Sequence, residues 1–433
     1  MGAGGRDFHV FNMLYRDNPE YLVVAFTAAQ IPGIEWKRYP PSLAGPRYPH
    51  GIPILPESKL EDIVVEESVD EVVLAYSDLT YDELGWKVRR VIAAGASFRI
   101  PGAMETMLRS YKPVIAVTAV KTGAGKSSVS RLIAVEAAKM GLRPVVVRHP
   151  MAYGDLESRR LICVRTRSDL GTVALTLEER EELEPYLDIG VPVVTGIETG
   201  LVLRRAEELG DIIVWDGGNN DTPFIRPDYW IVVVDATRPE LIGKSFPGDV
   251  NIRRADLAIV TKASTAGQQK TISTLNSLRR INPSINIAIA DMIVEVDEPE
   301  RIKERKVVVV EDAPTVTHGG SSHGAGYIAA IRHGGVVVDP RPYAVGEVAR
   351  VYEKYSHIGP VVPTIGYTRK QLEDLAETLK RIPAEVVIVA SPASIEEVIK
   401  LDKPIVRVKF HASIVEGPKP REIIEASLKR YSG

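Results

Sequence analysis

The chain has 433 residues, 45% of them hydrophobic and 26% charged, with a formal net charge of -3; that length exceeds one hydrophobic core and predicts two or three domains, while scattered lysines and arginines in a near-neutral balance exclude the basic footprint of a nucleic-acid binder. No apolar run approaches the roughly 18 residues needed to cross a bilayer, and the N-terminus lacks the regions of a secretory signal, so a cytoplasmic protein without membrane contact is expected. The single Cys163 excludes an intrachain disulfide and a thiolate metal cluster and reads as a small core residue, and few glutamines beside abundant Glu, Arg, Ile and Val match the composition of heat-adapted proteins.

Short β-branched runs alternate with amphipathic segments along nearly the whole chain, the pattern of α/β architecture. In residues 1–110, Tyr21–Phe26 and Glu71–Tyr76 read as strands, Tyr81–Ala94 as a helix stopped by Gly95, and the proline-rich stretch Ile31–Ile54 as a long loop. The opening Gly2-Ala3-Gly4-Gly5-Arg6-Asp7-Phe8-His9 looks like a dinucleotide-type glycine turn, which makes this block Rossmann-like; Arg6, Asp7 and His9 form a polar group expected near Ser77-Asp78. Residues 111–300 open with a strand at Val114–Thr118, a glycine loop, and a helix from Lys126 to about Met140. Further strands follow at Pro144–Arg148, Ile212–Trp215, Trp230–Val234 and Leu257–Val260, and Thr176 with Glu179 offers a capping box. Residues 301–433 form a C-terminal α/β block with strands at Lys306–Val310, Glu385–Val389 and Ile405–Val408, and a helix capped by Thr368 and Gln371.

The strongest chemical signal is Lys121-Thr122-Gly123-Ala124-Gly125-Lys126-Ser127-Ser128, between a predicted strand and a predicted helix. Phosphate binding needs glycines so that backbone N–H groups turn inward around the anion, and the helix N-terminus adds a favourable dipole. Lys126 is placed to reach the β- and γ-phosphates of ATP or GTP, and the Ser127 hydroxyl to hold Mg2+. Val120 stands where the ordinary Walker A motif has its first glycine. The loop therefore resembles the deviant form found in septum-site ATPases, dethiobiotin synthetases and signal-recognition GTPases. That resemblance implies that Lys121 is a second phosphate-touching lysine, commonly lent across a homodimer.

Four apolar residues deliver Asp216 to the carboxyl edge of the sheet, where a P-loop enzyme needs a carboxylate for magnesium, and Gly217-Gly218 leave room for a γ-phosphate. Asn219, Asn220 and Asp221 follow as possible substrate or metal contacts. Asp155 lies in the loop after Pro144–Arg148, and in the resembled branch an aspartate there positions magnesium or the attacking group. Guanine-specific proteins carry a carboxylate three places after a strand-end Asn or Thr; here Thr261-Lys262-Ala263-Ser264 has Ser264 instead, and Lys262 is left to pack over a base. In the third block the loop Glu311–Gly326 offers backbone amides, hydroxyls, His318 and His323 to a phosphorylated substrate.

The glycine-rich Arg6–Asn12 opening, Gln30-Ile31-Pro32-Gly33-Ile34 with Arg38-Tyr39-Pro40, the P-loop and Thr317-His318-Gly319-Gly320 together resemble archaeal predicted GTPases often labelled cyclic 2,3-diphosphoglycerate synthetases. The resemblance implies a synthetase or kinase that uses ATP and Mg2+ to close a phosphoanhydride in a small phosphorylated acid. Lys126, Ser127 and Asp216 would then handle nucleotide and metal, while Arg148, His149, His318, Gly319, Gly320 and His323 would hold the acidic substrate. A regulatory or assembly NTPase of the dimeric deviant-Walker type is the alternative.

Overall fold

A computed structural model describes the chain except residues 3, 30–33, 153, 318–319, 367, 398 and 433 and the side chain of Pro314. The strand Val114–Ala119 is buried at every position, because helices cover both faces of a parallel sheet and leave no polar side for its side chains. Among the described residues twelve further strands join it in one thirteen-stranded sheet. On one side of it lie Ile212–Asp216, Pro144–Arg148, Val193–Thr195 and Ile162–Val164, and on the other Tyr229–Asp235, Leu257–Thr261 and Asn286–Val296. The connection out of Val114–Ala119 leads to Pro144–Arg148 on one side and that out of its neighbour Tyr229–Asp235 leads to Leu257–Thr261 on the other, so the crevice at their carboxyl ends is where such sheets bind ligands.

The sheet does not stop at residue 300. Asn286–Val296 pairs in parallel with Leu257–Thr261, then passes an irregularity between Ile289 and Ala290 and runs antiparallel to Ile405–Glu416. Through Ile405–Glu416 the sheet continues into Val386–Ala390, Lys306–Glu311, Val336–Val337 and Val362–Pro363. The expected strand Ile405–Val408 is thus only one end of a twelve-residue strand, and Asn286–Val296 was not expected at all. Both alternate buried and exposed positions, so they lack the continuous apolar run that marks the central strands.

In the N-terminal block the Met1 amino group donates to the Val73 carbonyl at 2.8 Å, Ala75 N–H to Met1 O at 3.0 Å and Gly2 N–H to Thr27 O at 2.9 Å. Met1-Gly2 therefore stitches Glu71–Val73, which pairs with Ser97–Arg99, to Phe26–Ala28, which pairs with Ile52–Pro56. The expected strand at Tyr21–Phe26 instead begins at Phe26, and the one at Glu71–Tyr76 ends at Val73. The stretch expected as a loop over 31–54 holds Arg38–Tyr39, the helical turn Pro41–Ala44 and Ile52–Pro56. Tyr39 is its anchor, stacked on Phe8 with ring centroids 4.6 Å apart and fully buried.

Among the described residues capping boxes start three of the α-helices: Thr176 Oγ1 accepts from Glu179 N–H at 3.2 Å while Thr176 N–H donates to the Glu179 carboxylate at 2.8 Å, and Thr368–Gln371 and Thr80–Glu83 repeat the exchange. The first of these helices, Leu177–Leu187, sits between the P-loop sheet and the C-terminal block. No helix among the described residues is long and apolar enough to cross a membrane.

Candidate active site

The turn after Val114–Ala119 bends through Gly123 at φ 83° and Gly125 at φ 93°, a left-handed backbone that suits glycine, and delivers Lys126 as the first residue of helix Lys126–Lys139. Lys126 Nζ lies 2.6 Å from Asp216 Oδ1 and also donates to Gly217 O. Asp216 ends its strand in register with Val117 on one side and Arg148 on the other, fully buried. The Arg148 guanidinium closes on Asp216 Oδ2 and on the Glu182 carboxylate, and Tyr186 Oη donates to Asp216 Oδ2 at 2.6 Å. Burial alone would raise the Asp216 pKa, but Arg148 and Lys126 hold the carboxyl well below its usual range, so it stays ionised. Burial lowers the Lys126 pKa against the opposing pull of Asp216.

The residues fit magnesium. Arg148 Nη1 donates to Ser127 Oγ at 3.3 Å and to Asp216 Oδ2, so the hydroxyl and the carboxylate that serve the ion in P-loop proteins already converge on one cationic group. Much of the remaining coordination in such sites comes from phosphate and water, so a cluster of protein ligands is not required.

On the opposite flank Lys262, at φ 57°, donates to Gly123 O at 2.9 Å and pairs with Asp235 at 2.7 Å, and Thr261 Oγ1 donates to Ala124 O at 2.7 Å. Lys121 pairs with Asp78 at 3.0 Å, and Thr122 Oγ1 donates to Asp78 Oδ2 at 3.1 Å and to Asn219 Oδ1 at 3.2 Å. Ser128 is buried under the loop. The P-loop is thereby tied to the end of the N-terminal block's sheet.

A second polar group adjoins the first. Gly4 and Gly5 N–H donate to Asp7 Oδ1 at 2.9 and 3.1 Å. A Cβ on Gly5 would stand 2.7 Å from Pro150 O, so the glycine turn needs a glycine there. It packs the turn against His149, which lies over Phe224 and whose Nδ1 is 3.2 Å from Asp221 Oδ2. Arg6 Nη1 reaches Asp221 Oδ1 at 3.2 Å and Thr222 O at 3.3 Å. The buried atoms Asp7 Oδ2 and Thr222 Oγ1 have no hydrogen-bond partner among the described residues, an unspent binding capacity. Burial pushes Asp221 up to about 6 against the pull of Arg6. His149 is pushed down to about 3 by burial and by Arg6, Arg148 and Lys126, and so is neutral.

Of the expected site residues, Lys121, Thr122, Gly123, Ala124, Gly125, Lys126, Ser127, Ser128, Arg148, His149, Asp216 and Lys262 come together around the loop. Asp155 sits apart, exposed, accepting Ser158 N–H at 3.0 Å across its own turn. His318 and Gly319, and the motif at 30–33, lie outside the described residues. Gly320 turns at φ 71°, and His323 bonds Ser322 Oγ at 2.9 Å and leans on Tyr327; no described contact joins either to the P-loop. Arg6 pairs with Asp221, and His9 is held by Thr199 and Thr106 and stacked on Phe224. Sequence reasoning missed Glu182 and Tyr186, whose helix Leu177–Leu187 reads as a solvated acidic face.

No family profile matches the chain. It is 47% identical over 430 residues to the arginine synthetase ArcE of Thermococcus kodakarensis, covering 99% of this chain and 96% of that one. It is 25% identical over 255 residues to a cyclic 2,3-diphosphoglycerate synthetase of Thermococcus onnurineus, covering 54% of this chain and 57% of that one. Among solved structures it is similar to the ATP complex of LpxK from Aquifex aeolicus, with a TM-score of 0.42 at 13% identity over 75% of this chain and 90% of that one. The resemblance read in the sequence thus extends to part of the chain, whereas the match along its full length is to a synthetase of another name. The chain belongs to the family of the Thermococcus kodakarensis arginine synthetase and is an enzyme of the synthetase class.

Proposed function

We propose that this protein is a magnesium-dependent P-loop synthetase that uses ATP to activate a small substrate by phosphoryl transfer, and that its product is arginine, as the name of its full-length relative suggests. The observation that carries the reading is the convergence of Lys126, Arg148 and Tyr186 on Asp216, with Ser127 bonded to Arg148, beside the Arg6–Asp221–His149 group. The first set suits a triphosphate; the second is a buried polar cluster that in this reading meets the acceptor.

Forming a guanidinium requires replacing the oxygen of a ureido group by nitrogen, and that oxygen leaves readily only as phosphate. In this reading the ureido oxygen of an amino-acid substrate attacks the γ-phosphorus and ADP departs with the electrons of the broken bond. Ammonia then attacks the carbon, the C–O bond breaks, and phosphate leaves while one ammonia proton passes to a base. Asp221, the carboxylate poised at about 6, is that base, and Arg6 orients it. Lys126 neutralises charge on the transferred group, and magnesium, when bound by Ser127 and Asp216, shares that work.

A second reading, closure of a phosphoanhydride in a phosphorylated acid, is favoured by the partial match to cyclic 2,3-diphosphoglycerate synthetase and by the cationic Arg6 beside the glycine turn. A homodimer that shares Lys121 between sites is compatible with either. ADP release measured with ATP and magnesium, alone, with a ureido amino acid plus ammonium, or with 2,3-bisphosphoglycerate, tests the choice. Stimulation by the ureido pair alone supports arginine synthesis, stimulation by the bisphosphate supports the second reading, and no stimulation by either sinks both.

A further inference from the structure

The flank of the P-loop away from Asp216 carries an arrangement that neither phosphate binding nor the acceptor pocket uses. Strands Leu257–Thr261 and Asn286–Val296 pair in parallel, with Val260 opposite Ile289. Asn286–Val296 runs on past that pairing, and its Asp291 meets the turn that follows Thr261 at Ser264. Asp291 Oδ1 accepts the Ser264 N–H at 3.0 Å and the Ser264 hydroxyl at 2.8 Å. Lys262 is bonded to the P-loop carbonyl Gly123 O and Met292 underlies the Gly125 turn, so this pair stands next to the phosphate loop. The catalytic carboxylate marks the γ-phosphate side, which leaves this flank for the nucleoside.

Guanine recognition by the usual strand-end carboxylate is lost here because Ser264 occupies that position. The fold returns a carboxylate to the same place from the neighbouring strand, but with one oxygen already taken by two Ser264 donors. Guanine presents two adjacent donors, N1–H and the 2-amino group, and is clasped best by both oxygens of a carboxylate. Adenine presents a single donor at this edge, its 6-amino group, which needs one oxygen; its N1 is an acceptor that a second carboxylate oxygen would repel. We infer that Asp291, anchored through Oδ1 by Ser264, reads the adenine 6-amino group through Oδ2 and makes the site select ATP over GTP. This rests on the P-loop reading above and adds a specificity residue to it.

The test compares ATP with purine riboside triphosphate, which lacks the 6-amino group, and with inosine triphosphate, which carries a 6-oxo group. In the wild-type enzyme ATP is expected to bind about tenfold more tightly than purine riboside triphosphate. Asp291→Ala should bring the two affinities together by weakening ATP alone. Asp291→Asn keeps an oxygen for Ser264 and turns an amide N–H2 toward the base, so it should prefer inosine triphosphate to ATP. Equal weakening of ATP and purine riboside triphosphate in Asp291→Ala, with no inversion in Asp291→Asn, would reduce Asp291 to a helix cap and overturn the proposal. Failure of the P-loop reading looks different: Lys126→Ala would then leave the binding of all three nucleotides unchanged.

Discussion

Arg148 and Asp216 are register partners at the carboxyl ends of neighbouring parallel strands, and the buried guanidinium of one closes on the fully buried carboxylate of the other. The pair holds the Asp216 carboxylate ionised although it is fully buried. Lys126 and Arg148 occupy its two oxygens, so under the proposed function nucleotide and magnesium would compete with them for it.

Removing Arg148 strips the buried Asp216 of one of its two cationic partners, Lys126 remaining, and takes the guanidinium from Glu182. Arg148→Met should therefore destabilise the protein, by less than the roughly 3–5 kcal/mol of a buried charge left with no partner, read as a lowered denaturant midpoint. Since the Asp216 pKa is depressed in the folded protein, its stabilisation exists above the unfolded carboxyl pKa and disappears as pH falls through the folded one. The gap between wild type and Arg148→Met should therefore be wider at pH 7 than in strong acid; a gap independent of pH down to that range would show that Arg148 acts by packing.

Lys126→Ala should reduce turnover by a factor of about 10²–10³ or more, the scale for removing one preorganised charge contact to a transition state, while the circular dichroism spectrum stays that of the wild type. Unimpaired turnover would remove the P-loop from the mechanism.

The Asp221 carboxyl is raised by burial, so its protonated form is favoured by folding and the associated stability is lost as pH rises through about 6. Asp221→Asn should for that reason be at least as stable as wild type at pH 8. Catalysis runs the other way, because the proposed base works only when ionised. The wild-type rate should climb with pH through an acid limb near 6, and Asp221→Asn should be slow and lack that limb. A mutant that keeps the limb assigns the base elsewhere.

Gly5→Ala puts a methyl group 2.7 Å from Pro150 O at a backbone φ of 130°. It should displace the glycine turn from His149 and raise KM for the second substrate while leaving ATP affinity within about twofold, since the turn makes no described contact with the loop 121–128. An equal loss for both substrates would argue against two adjoining pockets.

If Lys121 is lent across a dimer, mixing Lys121→Ala with Lys126→Ala subunits should restore activity at one site of each mixed dimer. Within one chain Lys121 pairs with Asp78, and inactive mixed dimers would keep it there.

What the sequence made legible was contiguous. The loop 121–128 is a single turn between two elements, and Asp216 closes an apolar run, so both could be read without knowing the fold. The Thr176–Glu179 and Thr368–Gln371 boxes are equally local. Arg6 and Asp221, or Ser264 and Asp291, meet only after strands are ordered in the sheet, and no spacing announces them. Glu182 and Tyr186 were hidden in Leu-Glu-Glu-Arg-Glu-Glu-Leu-Glu-Pro-Tyr-Leu, whose acids look solvated until the C-terminal block covers Glu181 and Glu184. Strand Asn286–Val296 and the part of Ile405–Glu416 beyond Val408 escaped because many of their positions face out.

Oxygen transfer tests the proposed chemistry most directly. With a ureido amino acid labelled by 18O on its carbonyl, ATP, magnesium and ammonium, the released phosphate should carry one 18O for each arginine formed. Unlabelled phosphate accompanying arginine, or ADP release with no arginine at all, would contradict activation of the ureido oxygen by phosphoryl transfer.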